Sequence, residues 1–524
     1  MPTQDQKRKP NVLFIVSHDI SRDWFGCYGT EIHTPHIDRM AAEGFVFPWH
    51  YCQMPLCGPS RANIFSGCRP DTTRRFDNHT YLPAFRKRMG EEFATLPEHF
   101  KNHGYVTQAL DDIMHVTDHT KSAGWDVAEE ERSDDASWSA PRWDPPLPEV
   151  PSWAPDDWTT KESMRIWVSE ESRNVMRRRA QVLRSRGLDL IQNVKRWRGP
   201  ATEAPDVADD AYPTGQTTDR AVRFLEELKE KQPFFLAIGY STTHGPWCAP
   251  KSYWDLYEPE SIVLPRTGSG PEGIPDYALY PQNEPSQYYT QGLYDKPWQP
   301  TSEQILELRH GYFATVSFLD AQIGVLTETL RSLGLENDTI VIFTTDHGFS
   351  VGEHGHWHKM TNYEPDLSVP LVIRVPGHSN AGSRPNGLTE HVDIFPTLCD
   401  LCGLPRPSFL EGSSLLPLLG DPDPEKDSWK QAVFSQVHRK PPKASKAVMG
   451  YSMRTRRFRL VQWKKEDGSV DANELYDYQT DPLESRNLAN DPAYGDTLDE
   501  LIAIADQGWR GQRNIPKDGQ VKIN

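Results

Sequence analysis

The chain has 524 residues, of which 37% are hydrophobic and 25% are charged, so its length suits roughly three domains or one large α/β enzyme. The formal net charge of −17 disfavours a general nucleic-acid binder, and the content of 16 Trp, 19 Tyr and 20 Phe argues against a disordered chain. A mean hydropathy of −0.67 excludes a polytopic membrane protein.

The first predicted element is a buried strand at residues 12–16, which follows a polar N-terminal segment. This apolar run is too short for the core of a signal peptide and no cleavage site follows it, so we expect a cytoplasmic location. No segment has the apolar length that crosses a bilayer, and we expect no membrane partner. Seven cysteines, an odd number in a long chain, indicate that the protein is not a disulfide scaffold.

Three later apolar runs, at 234–239, 339–344 and 370–375, have the length and composition of buried parallel strands. Apolar residues at helical spacing predict helices at 219–231 and 302–333 between them. This alternation of strand and helix indicates an α/β fold with a doubly wound sheet.

Two segments interrupt the pattern: residues 120–215, rich in Trp and Pro with one helix near 173–189, and residues 255–300, rich in Pro and Tyr. Such long loops shape a substrate cleft or cover an interface between copies of the chain, as in a homo-oligomer. Beyond a Pro- and Asp-rich linker, strands and a closing helix are predicted at 432–438, 451–463, 474–478 and 496–507. We therefore expect a catalytic domain at 1–418 and a smaller α+β subdomain at 419–524.

Acid and imidazole side chains follow two of the predicted strands. His18 and Asp19 follow the first strand, and Asp346 and His347 follow the strand at 339–344. In open α/β sheets, ligands bind beyond the carboxyl ends of the strands. Two Asp and two His from separate strand ends would form a metal site of mixed oxygen and nitrogen donors. The alternative for either pair alone is a surface turn.

The segment PLCGPSRANIFSG, residues 55–67, combines a cysteine with the start of a predicted helix. Pro59 suits a first helical turn, and the free N–H groups at that end attract an anion. Arg61 lies four residues after Cys57 and shares its helix face, which is the setting of a reactive thiolate. The alternative is a buried structural cysteine.

The motif Cys57-x-Pro59-Ser60-Arg61 resembles the signature of type I sulfatases, in which a maturation enzyme converts the cysteine to Cα-formylglycine. Further family-like motifs follow in order: NVLFIV (11–16), GCYG (26–29), TPHID (34–38), GYVT (104–107), TDHG (345–348), GEHG (352–355) and ELYD (474–477). The RPDTT motif at 69–73 and the block at 352–359 are most similar to iduronate-2-sulfatase-like bacterial members.

The resemblance implies an alkaline-phosphatase-like mixed sheet flanked by helices, with a smaller α+β C-terminal domain. It implies hydrolysis of sulfate monoesters, in which a formylglycine gem-diol attacks sulfur to give a covalent sulfo-enzyme intermediate. It also implies a formylglycine-generating maturation enzyme as a partner, and one divalent cation, Ca²⁺ in the family.

Residue roles follow from the same resemblance. The cation would be held by His18, Asp19, residue 57, Asp346 and His347. Arg61 and His115 would contact the diol, His244 would protonate the leaving alcohol, and Lys359 would bind a sulfate oxygen. Judged from the residues alone, His244 could instead cap a turn, and Lys359 could be a solvated loop charge.

Two positions depart from the family pattern. His18 stands where the family usually has Asp, and Asp112 stands where it usually has Lys, three residues before His115. We interpret the two changes as coupled, with Asp112 restoring negative charge near the ion or near His18. Two imidazoles would shift the preferred metal from Ca²⁺ towards Mn²⁺ or Zn²⁺. The alternative places Asp112 outside the site.

The residues after the signature helix are candidates for substrate binding. Arg74, Arg75, Asn78 and His79 could reach a carboxylate or hydroxyl groups, and bidentate Arg contacts suit a uronate. The alternative for adjacent Arg residues is a solvated face. Together with a cytoplasmic location, this favours a small sulfated saccharide as substrate.

Two other functions remain open. Phosphonate monoester and phosphodiester hydrolases of the same superfamily also use formylglycine and resemble the chain at Cys57-Gly58-Pro59. A binding protein of this fold without catalysis belongs to a different class. The joint presence of eight site-type residues argues against it: Asp19, Cys57, Arg61, His115, His244, Asp346, His347 and Lys359.

Overall fold

The computed structural model describes residues 9–78, 82–90, 92–114, 125–128, 167–187, 198–288, 298–420, 429–440 and 447–511. Its strands are β1 Asn11–Ser17, β2 Phe45–Val46, β3 His50–Tyr51, β4 Val106–Asp111, β5 Val127–Ala128, β6 Thr202–Glu203, β7 Phe234–Tyr240, β8 Trp247–Cys248, β9 Thr339–Thr345, β10 Leu371–Arg374, β11 Thr389–Glu390, β12 Val433–Arg439, β13 Val448–Arg454, β14 Phe458–Lys465 and β15 Val470–Asp477. Its α-helices are α1 Pro35–Ala42, α2 Cys57–Ser66, α3 Pro70–Thr73, α4 Leu82–Met89, α5 Leu96–Asn102, α6 Glu170–Ser185, α7 Pro213–Leu228, α8 Lys251–Trp254, α9 Ser302–Ser332, α10 Glu364–Leu367, α11 Ile394–Leu401, α12 Leu416–Gly420 and α13 Gly495–Gly511.

A seven-stranded mixed sheet forms the centre, in the order β2-β10-β9-β1-β7-β4-β5. The strands from β9 to β5 are parallel, which confirms the predicted α/β fold. The prediction of a parallel strand at 370–375 is wrong, because β10 runs antiparallel to β9 and to β2. The segment between β9 and β10 holds site loops and the short α10 rather than a crossover helix, which a parallel connection requires.

The two faces of β1 belong to two different cores. Leu13 and Ile15 pack in one cluster with residues of α7 and α9, whereas Val12, Phe14 and Val16 pack in another with residues of α2, α5 and α11. Alternate side chains of a strand point to opposite faces, so a continuous apolar run is what a sheet covered on both faces requires. The sheet is therefore rigidly held between two layers of helices.

The predicted helices are present, and two of the three begin earlier than expected. The helix expected at 219–231 begins six residues earlier, at Pro213, and the one expected at 302–333 spans Ser302–Ser332. Thr301 caps the latter in a capping box with Gln304. The helix expected near 173–189 corresponds to α6; much of the surrounding 120–215 segment lies outside the described residues.

The C-terminal region forms a four-stranded antiparallel sheet, β12-β13-β14-β15, covered by α13. The sequence predicted one strand at 451–463, but this segment contains parts of two strands, β13 and β14, joined by a turn. Both strands have the same β-type composition, and the short turn between them carries no Gly or Pro to mark it.

All seven cysteines are buried free thiols, which agrees with the expectation that the protein is not a disulfide scaffold. Within the described ranges, no helix combines the length and the apolar character required to span a bilayer.

Candidate active site

The candidate site lies at the carboxyl end of the central sheet, where β9, β1, β7 and β4 end side by side. Backbone hydrogen bonds join the segments that follow these strands. Asp346 N donates to Ser17 O at 2.9 Å, and Asp112 N donates to Gly239 O at 3.2 Å. Side chains from four strand ends therefore converge, in the region where ligands bind in open α/β sheets.

The two acid–imidazole pairs form one buried cluster, and each of the four residues is at most 2% exposed. His347 Nε2 lies 3.4 Å from Asp19 Oδ1 and 3.7 Å from Asp346 Oδ1. His18 Nδ1 lies 3.0 Å from Asp346 Oδ2. The surface-turn alternative is thus wrong for both pairs.

Cys57 is the first residue of α2, and its Sγ lies 3.3 Å from His347 Nε2. The dipole of the helix favours negative charge at this position. Burial raises the pKa of the Cys57 thiol, but the positive charges of Lys359 and His347 outweigh burial and set the pKa at about 6. Cys57 is therefore a thiol placed to ionise, unlike an inert structural cysteine.

The donor set fits a divalent cation. Cys57 Sγ belongs to two sets of ligand atoms, and the atoms of each set lie within 4.8 Å of one another. One set adds His18 and Asp346, and the other adds Asp19 and His347. Within the described part of the chain, no group hydrogen-bonds His18 Nδ1, although it faces a carboxylate. A cation between these atoms would satisfy both. The same position, at a helix N-terminus among cationic groups, fits the oxygens of a formylglycine at residue 57.

Two buried cations flank the cluster. Lys359 Nζ lies 2.8 Å from Asp19 Oδ2 and 3.6 Å from Glu284 Oε2, so the solvated-loop alternative for Lys359 is wrong. Arg61 Nε lies 3.1 Å from Asp346 Oδ2, and Arg61 Nη1 donates to the Asp112 carbonyl oxygen. Burial lowers the pKa of Lys359, but the carboxylates of Asp19 and Glu284 outweigh it and hold the pKa well above its usual range.

Asp112 lies inside the site, so the alternative that placed it outside is wrong. Its Oδ2 is 2.5 Å from His18 Nε2. Gly239 permits this position, because a Cβ there would lie 2.1 Å from the Asp112 carbonyl carbon. The two departures from the family pattern are therefore in direct contact.

His244 follows β7 and borders the cluster with a side chain that is 40% exposed. Its ring centroid is 5.9 Å from that of His18, and its Nδ1 lies 3.0 Å from Gly245 O. Its Nε2 lies 3.3 Å from Oε1 of Glu284, a residue that the sequence analysis missed. The only signal for Glu284 was its position in the loop at 255–300, which was expected to shape the cleft.

The candidate substrate residues do not form one group. Asn78 Oδ1 accepts a hydrogen bond from Gly58 N at 2.9 Å, and the buried Arg75 guanidinium also lies against Gly58, next to Cys57. Arg74 is exposed and ends α3 in a left-handed conformation, which matches the solvated-face alternative. His79 and His115 lie outside the described residues.

Comparison with known proteins identifies the family. The sulfatase family profile matches residues 10–404, and the profile named N-sulphoglucosamine sulphohydrolase, C-terminal, matches residues 352–507. Iduronate 2-sulfatase of Homo sapiens is 30% identical over 572 aligned residues, which cover 94% of this chain and 93% of that protein. The chain belongs to the sulfatase family. It is a sulfuric ester hydrolase by family, and the resemblance to iduronate-2-sulfatase-like members is confirmed.

Solved structures of sulfatase-fold proteins match along nearly the whole chain. A protein in complex with its substrate D-glucosamine-2-N,6-O-disulfate aligns with a TM-score of 0.70 at 20% identity, covering 98% of this chain and all of that one. The phosphonate monoester hydrolase from Silicibacter pomeroyi aligns with a TM-score of 0.72 at 23% identity, covering 97% and 96%. At these identities the likeness shows the fold, which this sulfatase therefore shares with enzymes acting on different esters.

Proposed function

We propose that this sulfatase hydrolyses a sulfate ester of a small saccharide, with formylglycine at position 57 and a bound divalent cation. The observation that carries the proposal is the meeting of Cys57 with two cationic side chains and a cluster of metal-type ligands at one helix N-terminus. When present, formylglycine supplies a hydrated aldehyde as an oxygen nucleophile, and the cation supplies Lewis acidity.

The chain's own residues bind and neutralise the sulfate group. Lys359 Nζ, buried beside Asp19, offers N–H donors and a full positive charge next to residue 57. Arg61 holds Asp346 through Nε and thereby fixes one carboxylate of the cluster. The N-terminus of α2 adds the positive end of the helix dipole on the same side.

His244 is proposed to donate the proton that the leaving alcohol needs. It is the most exposed of the ring nitrogens around the cluster, so it lies where the alcohol part of an ester would enter. Glu284 Oε1 lies 3.3 Å from His244 Nε2 and keeps the imidazole beside the cluster. Leaving-group protonation is the part of the reaction that alkyl sulfates, including sugar sulfates, need most.

A carboxylated sugar is the proposed substrate class. Arg75 and Asn78 border Gly58, one residue from the reacting position, and provide a guanidinium and an amide for a uronate carboxylate or ring hydroxyls. Two similar proteins support this class. One is named iduronate 2-sulfatase, and the other was solved in complex with its substrate, a glucosamine disulfate.

The proposal is tested by producing the protein with a formylglycine-generating enzyme and verifying conversion at residue 57 by peptide mass. Rates are then compared on an aryl sulfate, an aryl phosphonate monoester and 2-O-sulfated uronate oligosaccharides. We expect the aryl sulfate to exceed the phosphonate in kcat/KM, and the Cys57→Ala variant to be inactive on both. A higher kcat/KM on the phosphonate would refute the proposed sulfate-ester substrate and favour the phosphonate-hydrolase alternative. The similar fold of the phosphonate monoester hydrolase from Silicibacter pomeroyi is the reason to include this substrate.

A further inference from the structure

The position of Asp112 is set by the backbone at the end of β4. Its N–H donates to Gly239 O at 3.2 Å, and its carbonyl oxygen accepts from Arg61 Nη1. Both groups are buried, and Asp112 itself is 6% exposed. The backbone of Asp112 is thus held by two neighbouring elements, β7 and α2, and its carboxylate contacts His18.

The contact with Asp112 decides which nitrogen of His18 remains available. A carboxylate oxygen 2.5 Å from Nε2 accepts a hydrogen bond, so Nε2 carries the hydrogen. In the neutral imidazole that binds a metal, Nδ1 is then the nitrogen with a lone pair. It faces Asp346 Oδ2 at 3.0 Å, and within the described ranges no residue donates a hydrogen bond to it.

His347 shows the same arrangement on the other side of Cys57. Its Nδ1 lies 2.9 Å from the Gly348 carbonyl oxygen, so Nδ1 carries a hydrogen, and in the neutral imidazole that binds a metal Nε2 is the nitrogen with the lone pair. That Nε2 points towards Cys57 at 3.3 Å and Asp19 at 3.4 Å. Metal-binding imidazoles in proteins are held in this way, with the second ring nitrogen donating to a carboxylate or a carbonyl.

We propose that His18 and His347 both coordinate the metal of this site, that Asp112 is the positioning residue that aims His18 Nδ1 at the ion, and that the site selects Mn²⁺ or Zn²⁺ over Ca²⁺. The inference rests on the metal in the proposed function and deepens it. Ca²⁺ takes six to eight oxygen ligands, whereas imidazole nitrogen favours transition ions. Here the ligand atoms form two groups that share Cys57 Sγ, one with His18 and Asp346 and the other with Asp19 and His347.

The test uses the full chain with residue 57 converted to formylglycine and the metal removed by a chelator. The protein is dialysed against equimolar Mn²⁺, Zn²⁺ and Ca²⁺, and the bound metal is measured by mass spectrometry. The Mn²⁺-loaded protein is examined by electron spin-echo modulation, which detects directly bound nitrogen. We expect a transition ion in excess over Ca²⁺ and couplings from two imidazole nitrogens. Ca²⁺ as the main bound ion, or one nitrogen only, would overturn the inference.

Variants separate the role of each residue. In His18→Asp we expect one nitrogen coupling and a shift of the bound metal towards Ca²⁺. In Asp112→Asn we expect Mn²⁺ affinity to fall about 10-fold or more, the effect of losing the partner of a metal-bound histidine. Asp111→Asn is the matched control, because Asp111 contacts Thr217 and Arg220 rather than the cluster, and its affinity should be unchanged. Equal affinities of Asp112→Asn and the wild type would contradict the positioning role.

These readouts do not depend on turnover. A protein that binds Mn²⁺ through two nitrogens but does not cleave sulfate esters would support this inference and refute the proposed function. A sulfatase that is fully active with Ca²⁺ alone and shows one nitrogen ligand would do the reverse.

Discussion

Glu284 Oε1 lies 3.3 Å from His244 Nε2, and the second carboxylate oxygen lies 3.6 Å from Lys359 Nζ. One buried carboxylate therefore contacts both side chains proposed to act on the ester. Glu284 comes from the loop that follows α8, and its backbone N–H donates to the Trp357 carbonyl at 2.7 Å. This loop therefore borders the site and also supplies one of its residues.

The first prediction concerns Glu284→Gln. If Glu284 keeps His244 in place for proton donation, the loss should depend on how much the leaving group needs a proton. We expect kcat to fall about 10-fold or more on an alkyl sulfate and much less on 4-nitrophenyl sulfate. Glu272→Gln, an exposed carboxylate of the same loop, is the control. Equal losses of kcat on both substrates would show that Glu284 does not act through proton donation by His244.

The second prediction concerns the unmodified thiol. In metal-free protein made without the maturation enzyme, Cys57 should be alkylated by iodoacetamide with a rate that rises through pH 6 and levels off about one unit higher, following the pKa of about 6. Burial raises the pKa of Cys27, Cys399 and Cys402 to about 12, so these thiols should remain unlabelled at neutral pH.

The positive charge of Lys359 should determine the pH at which the alkylation rate of Cys57 rises. Removing it in Lys359→Met should raise the pKa of Cys57 and shift the alkylation profile to higher pH, because Lys359 is the largest influence that lowers this pKa. Lys251→Met removes an exposed lysine paired with Asp255 and should leave the profile unchanged. An identical profile for Lys359→Met would refute this account.

The third prediction concerns Gly239. A Cβ at this position would lie 2.1 Å from the Asp112 carbonyl carbon and from Ile113 N, so Gly239→Ala must push the end of β4 away from β7. We expect a loss of about 1–3 kcal/mol in the free energy of unfolding and a lower metal content. Gly495→Ala, where no atom lies within 4 Å of the added Cβ, should show neither effect. A normal metal content in Gly239→Ala would show that metal binding does not depend on the close approach of Asp112 to residue 239.

The fourth prediction concerns Glu364, which links α10 to the C-terminal sheet. Its carboxylate accepts from Arg459 Nη2 and Tyr51 OH and lies 3.4 Å from Arg454 Nε. Burial raises the pKa of Glu364, but the neighbouring arginines outweigh burial and lower the pKa from 4.5 to about 2. A carboxyl with a depressed pKa stabilises the fold above its unfolded pKa, and the benefit is lost as the pH falls to the folded pKa.

Glu364→Gln should therefore destabilise the protein by about 3 kcal/mol at pH 7, the free-energy equivalent of this pKa shift. The difference from the wild type should shrink as the pH falls below 4.5 and vanish near pH 2. Urea unfolding at several pH values measures it, with the exposed Glu260→Gln as control. A difference that is constant with pH would exclude the ionic contribution of Glu364.

The sequence by itself determined the α/β class, the sulfatase resemblance and most of the residues at the strand ends. Those features are local: an apolar run of strand length, an acid–imidazole pair directly after it, and a cysteine at a helix start are each readable within about a dozen residues. The grouping of His18, Asp19, Asp346 and His347 also followed, because parallel strands bring their carboxyl ends to one edge.

Only the tertiary structure decided the rest. Three features depend on the paths of loops between distant segments. They are the antiparallel direction of β10, the contact of Asp112 with His18 across the intervening β7, and the position of Glu284 beside His244. Arg74 and Arg75 are neighbours in sequence, yet one is exposed and the other is buried against Gly58. Residue type and spacing do not encode such contacts, because close packing, including the space left by a glycine at position 239, selects them.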